Sequence, residues 1–310
     1  MFFEKSRLVE AELSLGNLGV AEQGALLWEE ACNRVQSGEL DDRPLYWRRL
    51  TLPEEPAHWS ASRNYHPTYR KEADLRILVT GFDPFNLDVR IDQSNPSGVV
   101  ALALDKTYLD VRGRTAEIRS LIVPVSFADF DGGLVESLVD PLLNDLDLLV
   151  TVSMGREEID LERFPGLRRS SGKPDNNRML CGGTAADPLI PPGLSGPEFV
   201  EFSLPVEKMR EVPGKFEIRD NHTVTTLERG EVSVNTLSEL AGQIAVQGSG
   251  GGYLSNEIAY RVVRSVGGRF PVGHIHTPRV EGIEPTNIRD ITDQVTKMIK
   301  AAIHTLPGRR

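Results

Sequence analysis

A glycine-rich segment leads into a helical pattern and places Ser255 where a nucleophile could be activated. In QGSGGGYLSNEIAYRVVRSV (247–266), glycines stand after the short apolar strand QIAV and before an amphipathic helix that begins near Ser255 and Asn256. The start of a helix offers free N–H groups and the positive end of the helix dipole, and both stabilise developing negative charge. Ser255 is therefore a candidate nucleophile, and a role as a helix N-cap is the alternative. A phosphate-binding loop is disfavoured because no Lys-[Ser/Thr] pair follows the glycines.

Two histidines end a predicted strand, VGHIHTP (272–278). Side chains alternate along a strand, so His274 and His276 point to the same face and either could act as a general base. A paired-histidine metal site is the alternative, but the other four histidines are scattered along the chain and only two cysteines occur. We therefore expect no bound metal and no other cofactor.

A cluster of acidic residues follows another predicted strand, in SMGREEIDLERFPG (153–166). Its members are Glu157, Glu158, Asp160 and Glu162. Such a cluster is commonly a solvated face. One of its carboxylates could instead orient a histidine, as the third member of a nucleophile, base and acid set.

The elements that must position these residues have an α/β pattern from Leu75 onward. Several apolar runs suit buried strands. Helical patterns fall between or after them, at 96–104, at 130–143 and near the C-terminus. This alternation predicts a sheet covered by helices. The predicted strands are LRILVTGF (75–82), EIRSLIVPV (117–125), LDLLVTVSM (146–154), QIAV (243–246) and FPVGHIH (270–276).

Two stretches of the chain differ from this pattern. Residues 1–74 combine a helical pattern, to about residue 36, with a proline-rich and aromatic stretch at 41–74, and we expect this extension to pack on the main domain, 75–310. Residues 177–234 are rich in Pro, Gly and charge, and they predict an insertion made of long loops and a hairpin.

Composition narrows the class of partner. The net charge of −10 argues against a nucleic-acid binder and against attraction to anionic lipid, so we expect a small-molecule or peptide substrate. No apolar run reaches the ~18 residues of a membrane span, and the first residues carry acids, so we expect a cytoplasmic protein. Cys32 and Cys181 are expected to be ordinary reduced thiols.

Taken together, these segments resemble the pyroglutamyl peptidase I family, cysteine peptidases that remove N-terminal pyroglutamate. The resemblance covers roughly residues 75–303, in the family's order of glutamate, nucleophile and histidine. The motifs are TGFDPF (80–85), NPS (95–97), MGREEIDLER (154–163), PDN (174–176), LPV (204–206), GGYLSN (251–256) and GHIHTP (273–278).

The resemblance implies a three-layer α/β/α sandwich with a mostly parallel sheet and assigns roles to individual residues. Ser255 occupies the position of the nucleophilic cysteine, His276 that of the base and Glu162 that of the orienting acid. Phe82 and Phe85 would sandwich the ring of a small cyclic acyl group. The other substrate-binding residues that the resemblance implies are Gly155 and Asn95. Family members associate through surface patches, which leaves a homo-oligomer open.

The departures from the family bear on function. A serine hydroxyl hardly ionises, so the exchange of cysteine for serine demands a well-placed base. The family's oxyanion-region arginine falls on Gly172, which leaves Arg168 or Arg169 as replacements. These changes and the extra segments favour a naturally diverged member over an engineered one. The predicted function is a pyroglutamyl-peptidase-like amide hydrolase, with a catalytically impaired binding protein or a repurposed acyl-transfer or cyclising enzyme as alternatives.

Overall fold

The computed structural model describes residues 20–42, 67–86, 89–90 and 92–307, and its main element is a sheet of seven strands. The strands of the chain are β1 (Leu75–Phe82), β2 (Thr107–Val111), β3 (Arg114–Val123), β4 (Leu148–Met154), β5 (Ile159–Glu162), β6 (Ile218–Asn221), β7 (Thr223–Thr226), β8 (Gly230–Ser233), β9 (Ala245–Gln247) and β10 (Val272–Thr277).

The helices lie on both faces of this sheet. They are α1 (Val20–Gln36), α2 (Pro96–Leu104), α3 (Phe127–Asp131), α4 (Leu134–Val139), α5 (Val206–Arg210), α6 (Leu254–Val266) and α7 (Pro285–Ile303), with 3₁₀ turns at Asp140–Leu142 and Leu237–Leu240.

The main sheet has the order β2-β3-β1-β4-β10-β5-β6. Strands β3, β1, β4 and β10 are mutually parallel, whereas β2 and β5 run antiparallel to β3 and β10. The predicted α/β class with a mostly parallel sheet is therefore confirmed. The four parallel strands read as continuous apolar runs because helices cover both of their faces.

Two hydrophobic cores separate the layers. Alternate residues of β1 illustrate this, since Ile77 and Val79 enter the core under α2 and α7, and Leu78 enters the core under α4 and α6. All three side chains are fully buried. The alternation of a strand thus supplies both cores from one apolar run.

Several local predictions need correction. QIAV belongs to β9 of a separate three-stranded sheet, β8-β7-β9, and not to the main sheet. The helix expected at 130–143 is divided into α3, α4 and a 3₁₀ turn, because Gly132 and Gly133 interrupt it and Gly133 takes a positive φ of 75°. The insertion 177–234 contains the expected hairpin, β7 and β8, but it also contributes α5 and the edge strand β6 of the main sheet.

Residues 20–42 and 67–74 are the described parts of the N-terminal extension, and residues 20–42 pack against the main domain. The buried Trp28 of α1 donates its indole N–H to Asp105 Oδ2 at 3.0 Å. Gln36 donates to the carbonyl oxygens of Leu102 and Asp105, at 3.1 and 2.8 Å, at the end of α2. The rest of the predicted extension, at 1–19 and 43–66, lies outside the described residues.

Asp42 is a buried carboxylate that links this extension to the main domain. It accepts hydrogen bonds from Ser94 Oγ at 2.6 Å and from the backbone N–H of Asn95 at 3.2 Å. Burial raises the pKa of Asp42 to about 7, although these two hydrogen bonds act in the lowering direction.

The raised pKa predicts a pH dependence of stability. The folded protein holds the Asp42 proton more tightly than the unfolded chain. The contribution of Asp42 to the free energy of unfolding is therefore complete below pH ~4 and is lost as the pH rises through about 7. The Asp42→Asn variant should lack this component, which is at most about 4 kcal/mol. Urea unfolding of both proteins between pH 4 and 8 measures it, with the exposed Asp293→Asn as control. Parallel pH profiles for wild type and Asp42→Asn would contradict the prediction.

Candidate active site

The centre of the site is a hydrogen bond between His276 and Glu162. His276 lies near the end of β10, and Glu162 ends β5, which pairs with β10 in the antiparallel direction. The Nδ1 atom of His276 is 2.5 Å from Oε1 of Glu162. An ionised carboxylate only accepts, so Nδ1 carries the proton and Nε2 keeps a lone pair that can take a proton from a nucleophile.

Asn221 holds the second oxygen of the same carboxylate. Its side-chain amide, at the end of β6, donates to Glu162 Oε2 at 2.8 Å and to the carbonyl of Ser249 at 3.0 Å. Glu162 itself is fully buried. Both carboxylate oxygens are thus paired, which compensates for the loss of water around a buried charge.

His274 is a structural neighbour of this pair. It is fully buried, and its ring nitrogens lie 2.7 Å from Thr151 Oγ1 and 2.7 Å from Ser153 Oγ. Burial, with a smaller effect of His276, lowers the pKa of His274 well below the usual value. Its ring is therefore neutral at physiological pH and packs edge-on against that of His276, with centroids 4.8 Å apart.

Ser255 lies in the first turn of α6, immediately after the glycine turn. The N-cap of this helix is Tyr253, so Ser255 is its second residue and does not act as the cap. Gly251 takes a φ of 89°, which favours glycine, and turns the chain into the helix. The first turn of a helix leaves its N–H groups without intrahelical partners, so those at 254–256 are suited to receive an oxyanion.

Two further contacts tie the glycine turn to the segment that follows Glu162. Asn256 accepts from the backbone N–H of Gly166 at 2.9 Å and donates to its carbonyl at 2.8 Å. Ser249 exchanges hydrogen bonds of 2.9 Å with the backbone of Phe164 through its own N–H and its hydroxyl. The nucleophile turn and the glutamate strand are therefore fixed relative to each other.

A cavity of about 340 Å³ is lined by Ser255 and His276 together. The Ser255 hydroxyl donates to the carbonyl of Gly250 at 3.3 Å and not to His276. Gly250 nevertheless lies against the histidine, since a Cβ on it would be 3.5 Å from His276 Cε1. The structure thus brings Ser255, His276 and Glu162 to one site, with the hydrogen bond between serine and histidine not formed.

The four residues predicted to bind substrate also line the cavity. Phe82 stacks on Phe130, with ring centroids 6.2 Å apart, and Phe85 meets Tyr253 edge-on at 5.9 Å. These contacts form an apolar wall, whose further members include Val125 and Leu254.

Asn95 and Gly155 have structural reasons for their positions. Asn95 caps α2 by accepting from the Ser97 N–H at 3.0 Å, and it donates to the Asp83 carbonyl at 2.9 Å. Gly155 lies so close to His276, the candidate base, that a Cβ atom added to Gly155 would be 2.7 Å from the Cβ of His276. Both residues shape the wall of the cavity, whatever they contact in a substrate.

Neither candidate for the family's oxyanion-region arginine lines the cavity. Arg168 pairs with Glu198 at 2.8 Å, and the buried Arg169 pairs with Glu257 and with Asp131. Gly172, the aligned position, is exposed, and a Cβ on it would meet nothing within 4 Å. The two arginines therefore serve as ion-pair partners in this fold.

Sequence reasoning missed Asn221 and Tyr253, whereas the hairpin of the insertion lies at the cavity. Thr223, Val224, Thr225 and Glu231 line the cavity from β7 and β8. The loop-rich composition of 177–234 is typical of substrate-recognition elements, and the hairpin of this insertion contributes to the cavity wall. Asn221 ends a four-residue strand without a motif, and only the pairing of β5 with β6 brings it to Glu162.

Both cysteines, and several of the histidine and acidic side chains, lie in the part of the chain that the structure describes. Among the described residues, no group of three or more His, Cys, Asp and Glu side chains could hold a metal ion. Both cysteines are free and buried, and burial and the charge of Asp105 raise the pKa of Cys32. None of the described helices is long and apolar enough to cross a bilayer.

Solved structures with the same arrangement of strands and helices include peptidases. A single-residue mutant of pyrrolidone carboxyl peptidase from Pyrococcus furiosus superposes with a TM-score of 0.51 at 20% identity, covering 75% of this chain and all of that one. A second mutant of the same peptidase gives a TM-score of 0.50 with the same identity and coverage. The fold is that of pyrrolidone carboxyl peptidase.

In amino-acid sequence, the chain is similar to a protein other than pyrrolidone carboxyl peptidase. Two family models match consecutive parts of the chain, the PA0049 N-terminal domain at 6–77 and the PA0049 C-terminal domain at 76–198. The uncharacterized protein PA0049 of Pseudomonas aeruginosa is 26% identical over 60% of this chain. The chain spans 42% of the length of that curated relative. Glu162 lies within the residues that the two family models match, and Ser255 and His276 lie beyond them.

Proposed function

We propose that this protein is an amide hydrolase of the pyroglutamyl peptidase type, with Ser255 as nucleophile, His276 as base and Glu162 as orienting acid. The observation that carries the proposal is the 2.5 Å contact of His276 Nδ1 with Glu162, on a histidine that shares its cavity with Ser255. A nucleophile and a base in one cavity, with a buried acid hydrogen-bonded to the base, are the arrangement that acyl transfer requires.

The reaction proceeds in two stages. Ser255 Oγ attacks the carbonyl carbon of the substrate amide while its proton passes to His276 Nε2. The carbon–nitrogen bond then breaks, and His276 returns the proton to the departing amine. Water next attacks the ester on Ser255 with His276 again as base, which releases the acid and restores the hydroxyl. The N–H groups at the start of α6 receive the oxyanion in both stages.

Attack requires Ser255 Oγ to turn from the Gly250 carbonyl toward His276. The bond that it leaves is a weak one of 3.3 Å, so rotation of the side chain costs little. Catalytic hydrogen bonds are often long or misaligned without substrate and tighten when substrate binds. A small cyclic acyl group such as pyroglutamyl suits the apolar wall of Phe82 and Phe85.

Turnover of a chromogenic pyroglutamyl amide by wild type and by Ser255→Cys tests this function. We expect both proteins to release the chromophore, because the thiol reuses the same base and oxyanion site. A Ser255→Ala preparation, purified in the same way, is the control for contaminating peptidases. Turnover by Ser255→Cys alone would favour the alternative of a binding protein that has lost catalysis, and turnover by neither would contradict the pyroglutamyl assignment.

The hairpin wall favours acyl transfer as a second candidate. Thr223, Thr225 and Glu231 line the cavity from β7 and β8, and closer approach of this hairpin over a bound substrate would exclude water and favour an amine acceptor. Addition of a free amino acid amide to the assay distinguishes the two. A new acyl amide product at the expense of free acid would indicate a transferase.

A further inference from the structure

Three cationic side chains line the candidate active-site cavity. They are Arg156, Lys173 and Arg279, and all three are exposed. Among the described residues that line the cavity, Glu231 is the only acid. The chain as a whole has a net charge of −10, so the positive rim is a local feature and does not follow from composition.

These cations lack counter-ions in the described part of the chain. None of the three forms an ion pair there, although nearby arginines do. Arg163 pairs with Asp220 at 2.6 Å and Arg219 with Asp160 at 2.8 Å. Charges of one sign around a cavity attract and concentrate ligands of the opposite sign.

The two arginines come together at the ends of neighbouring parallel strands. The Arg279 N–H donates to the Arg156 carbonyl at 2.7 Å, just beyond the pairing of β4 with β10. Arg156 directly follows Gly155, where an added Cβ would be 2.7 Å from His276 Cβ. Arg279 follows shortly after His276 in the chain. They therefore line the cavity from the strand ends that carry His276, which in the proposed mechanism gives a proton to the departing amine.

Lys173 lines the cavity from a different segment of the chain. Its neighbour Ser171 donates a backbone hydrogen bond to the Gly252 carbonyl at 3.2 Å, close to the start of α6. The apolar wall of Phe82 and Phe85 carries no charge. The cavity thus has an apolar part that suits an acyl ring and a cationic part beside His276.

We propose that the substrate is an acyl amide whose departing amine carries a carboxylate, such as an N-acyl amino acid, and that Arg156 and Arg279 bind this carboxylate. A guanidinium matches the planar geometry of a carboxylate and can donate two parallel hydrogen bonds to it. This inference rests on the proposed hydrolase function for the assignment of the departing side.

Binding to Ser255→Ala, which cannot form the acyl-enzyme, separates recognition from turnover. Calorimetry would compare pyroglutamyl-alanine with pyroglutamyl-alaninamide, and N-acetyl-alanine with its amide. We expect the acid of at least one pair to bind about tenfold more tightly than the amide, since a charged hydrogen bond is stronger than a neutral one. The preference should shrink as salt is raised, because ions screen exposed charges.

Substitution of the two arginines locates the anion site. Arg156→Gln/Arg279→Gln in the Ser255→Ala background should remove the preference for the acid. The control Arg112→Gln/Lys297→Gln changes the net charge equally, at the β2–β3 turn and on α7, and should keep the preference.

The results of these experiments distinguish failure of the anion site from failure of the hydrolase function. Equal affinity for acid and amide, no binding in any pair, or a preference that survives the arginine substitutions would overturn the proposal. A preference that depends on the arginines, together with no turnover by wild type, would leave the anion site in place and refute only the hydrolase.

Discussion

Replacement of His276 with alanine is expected to lower kcat/KM for an acyl amide substrate by about a thousandfold or more. A serine hydroxyl must lose its proton as it attacks, and the Nε2 atom of His276 is the base that shares its cavity. Steady-state kinetics with a pyroglutamyl amide measure the loss. Ser255→Ala should lower the same constant to a similar extent.

The combination of these changes tests whether the residues act as one unit. The double variant Ser255→Ala/His276→Ala should be no slower than either single variant, because the second change removes a partner that has already lost its role. His304→Ala, an exposed histidine after α7, should keep wild-type kinetics. Losses that multiply in the double variant would indicate that serine and histidine do not cooperate.

Glu162 is expected to act through His276. Its carboxylate selects the tautomer with the proton on Nδ1, and Asn221 holds its other oxygen at 2.8 Å. A glutamine at this position could present its amide to the ring and reverse the tautomer, so its effect would fall on kcat more than on KM. This places Glu162 with the positioning residues of the site.

The largest expected effect on stability comes from Arg169→Met. Arg169 and Glu257 are both about 2% exposed, and Arg169 Nη2 also lies 2.7 Å from Asp131. Burial opposes the charge of Arg169, but the hydrogen bonds of Glu257 and Asp131 raise its pKa above the usual value. Loss of one member of this buried network costs up to about 3–5 kcal/mol, because Asp131 loses its ion pair and Glu257 keeps Arg261 as its cationic partner.

Denaturant unfolding measures this cost, and the neighbouring residue supplies a control. Arg168 is 21% exposed and pairs with Glu198 near the surface, so Arg168→Met should cost only about 1 kcal/mol. The double variant Arg169→Met/Glu257→Gln should not recover the loss, because Glu257 also pairs with the buried Arg261. Equal losses of unfolding free energy in Arg169→Met and Arg168→Met would contradict the prediction that the buried ion pair contributes more to stability than the exposed one.

Local pattern was sufficient for much of the fold. The apolar run at 75–82 and the helix at 96–104 match β1 and α2 at both ends, because burial on both faces and a proline start leave a clear local signal. The division of 130–143 was missed because the apolar residues keep a helical spacing through two glycines that end one helix and precede the next.

The sequence by itself determined the candidate site through ordered motifs. The segments that carry Ser255 and the two histidines have residue types that suggest a role, and strand alternation places His274 and His276 on one face. The family resemblance selected Glu162 from a cluster of acids. Alternation could not choose between the two histidines. That choice came from the motif, and the structure adds a physical reason, since both nitrogens of His274 are already paired with hydroxyl groups.

Only the tertiary structure decided which side chains meet across long stretches of chain. Asn221 reaches Glu162 because β6 joins the edge of the main sheet, and Arg169 is paired with Glu257, 88 residues away in sequence. The positive rim of the cavity consists of Arg156, Lys173 and Arg279, which come from three separate segments of the chain. Such contacts depend on strand order and helix packing. The sequence around each of these residues contains no pattern that identifies its partner.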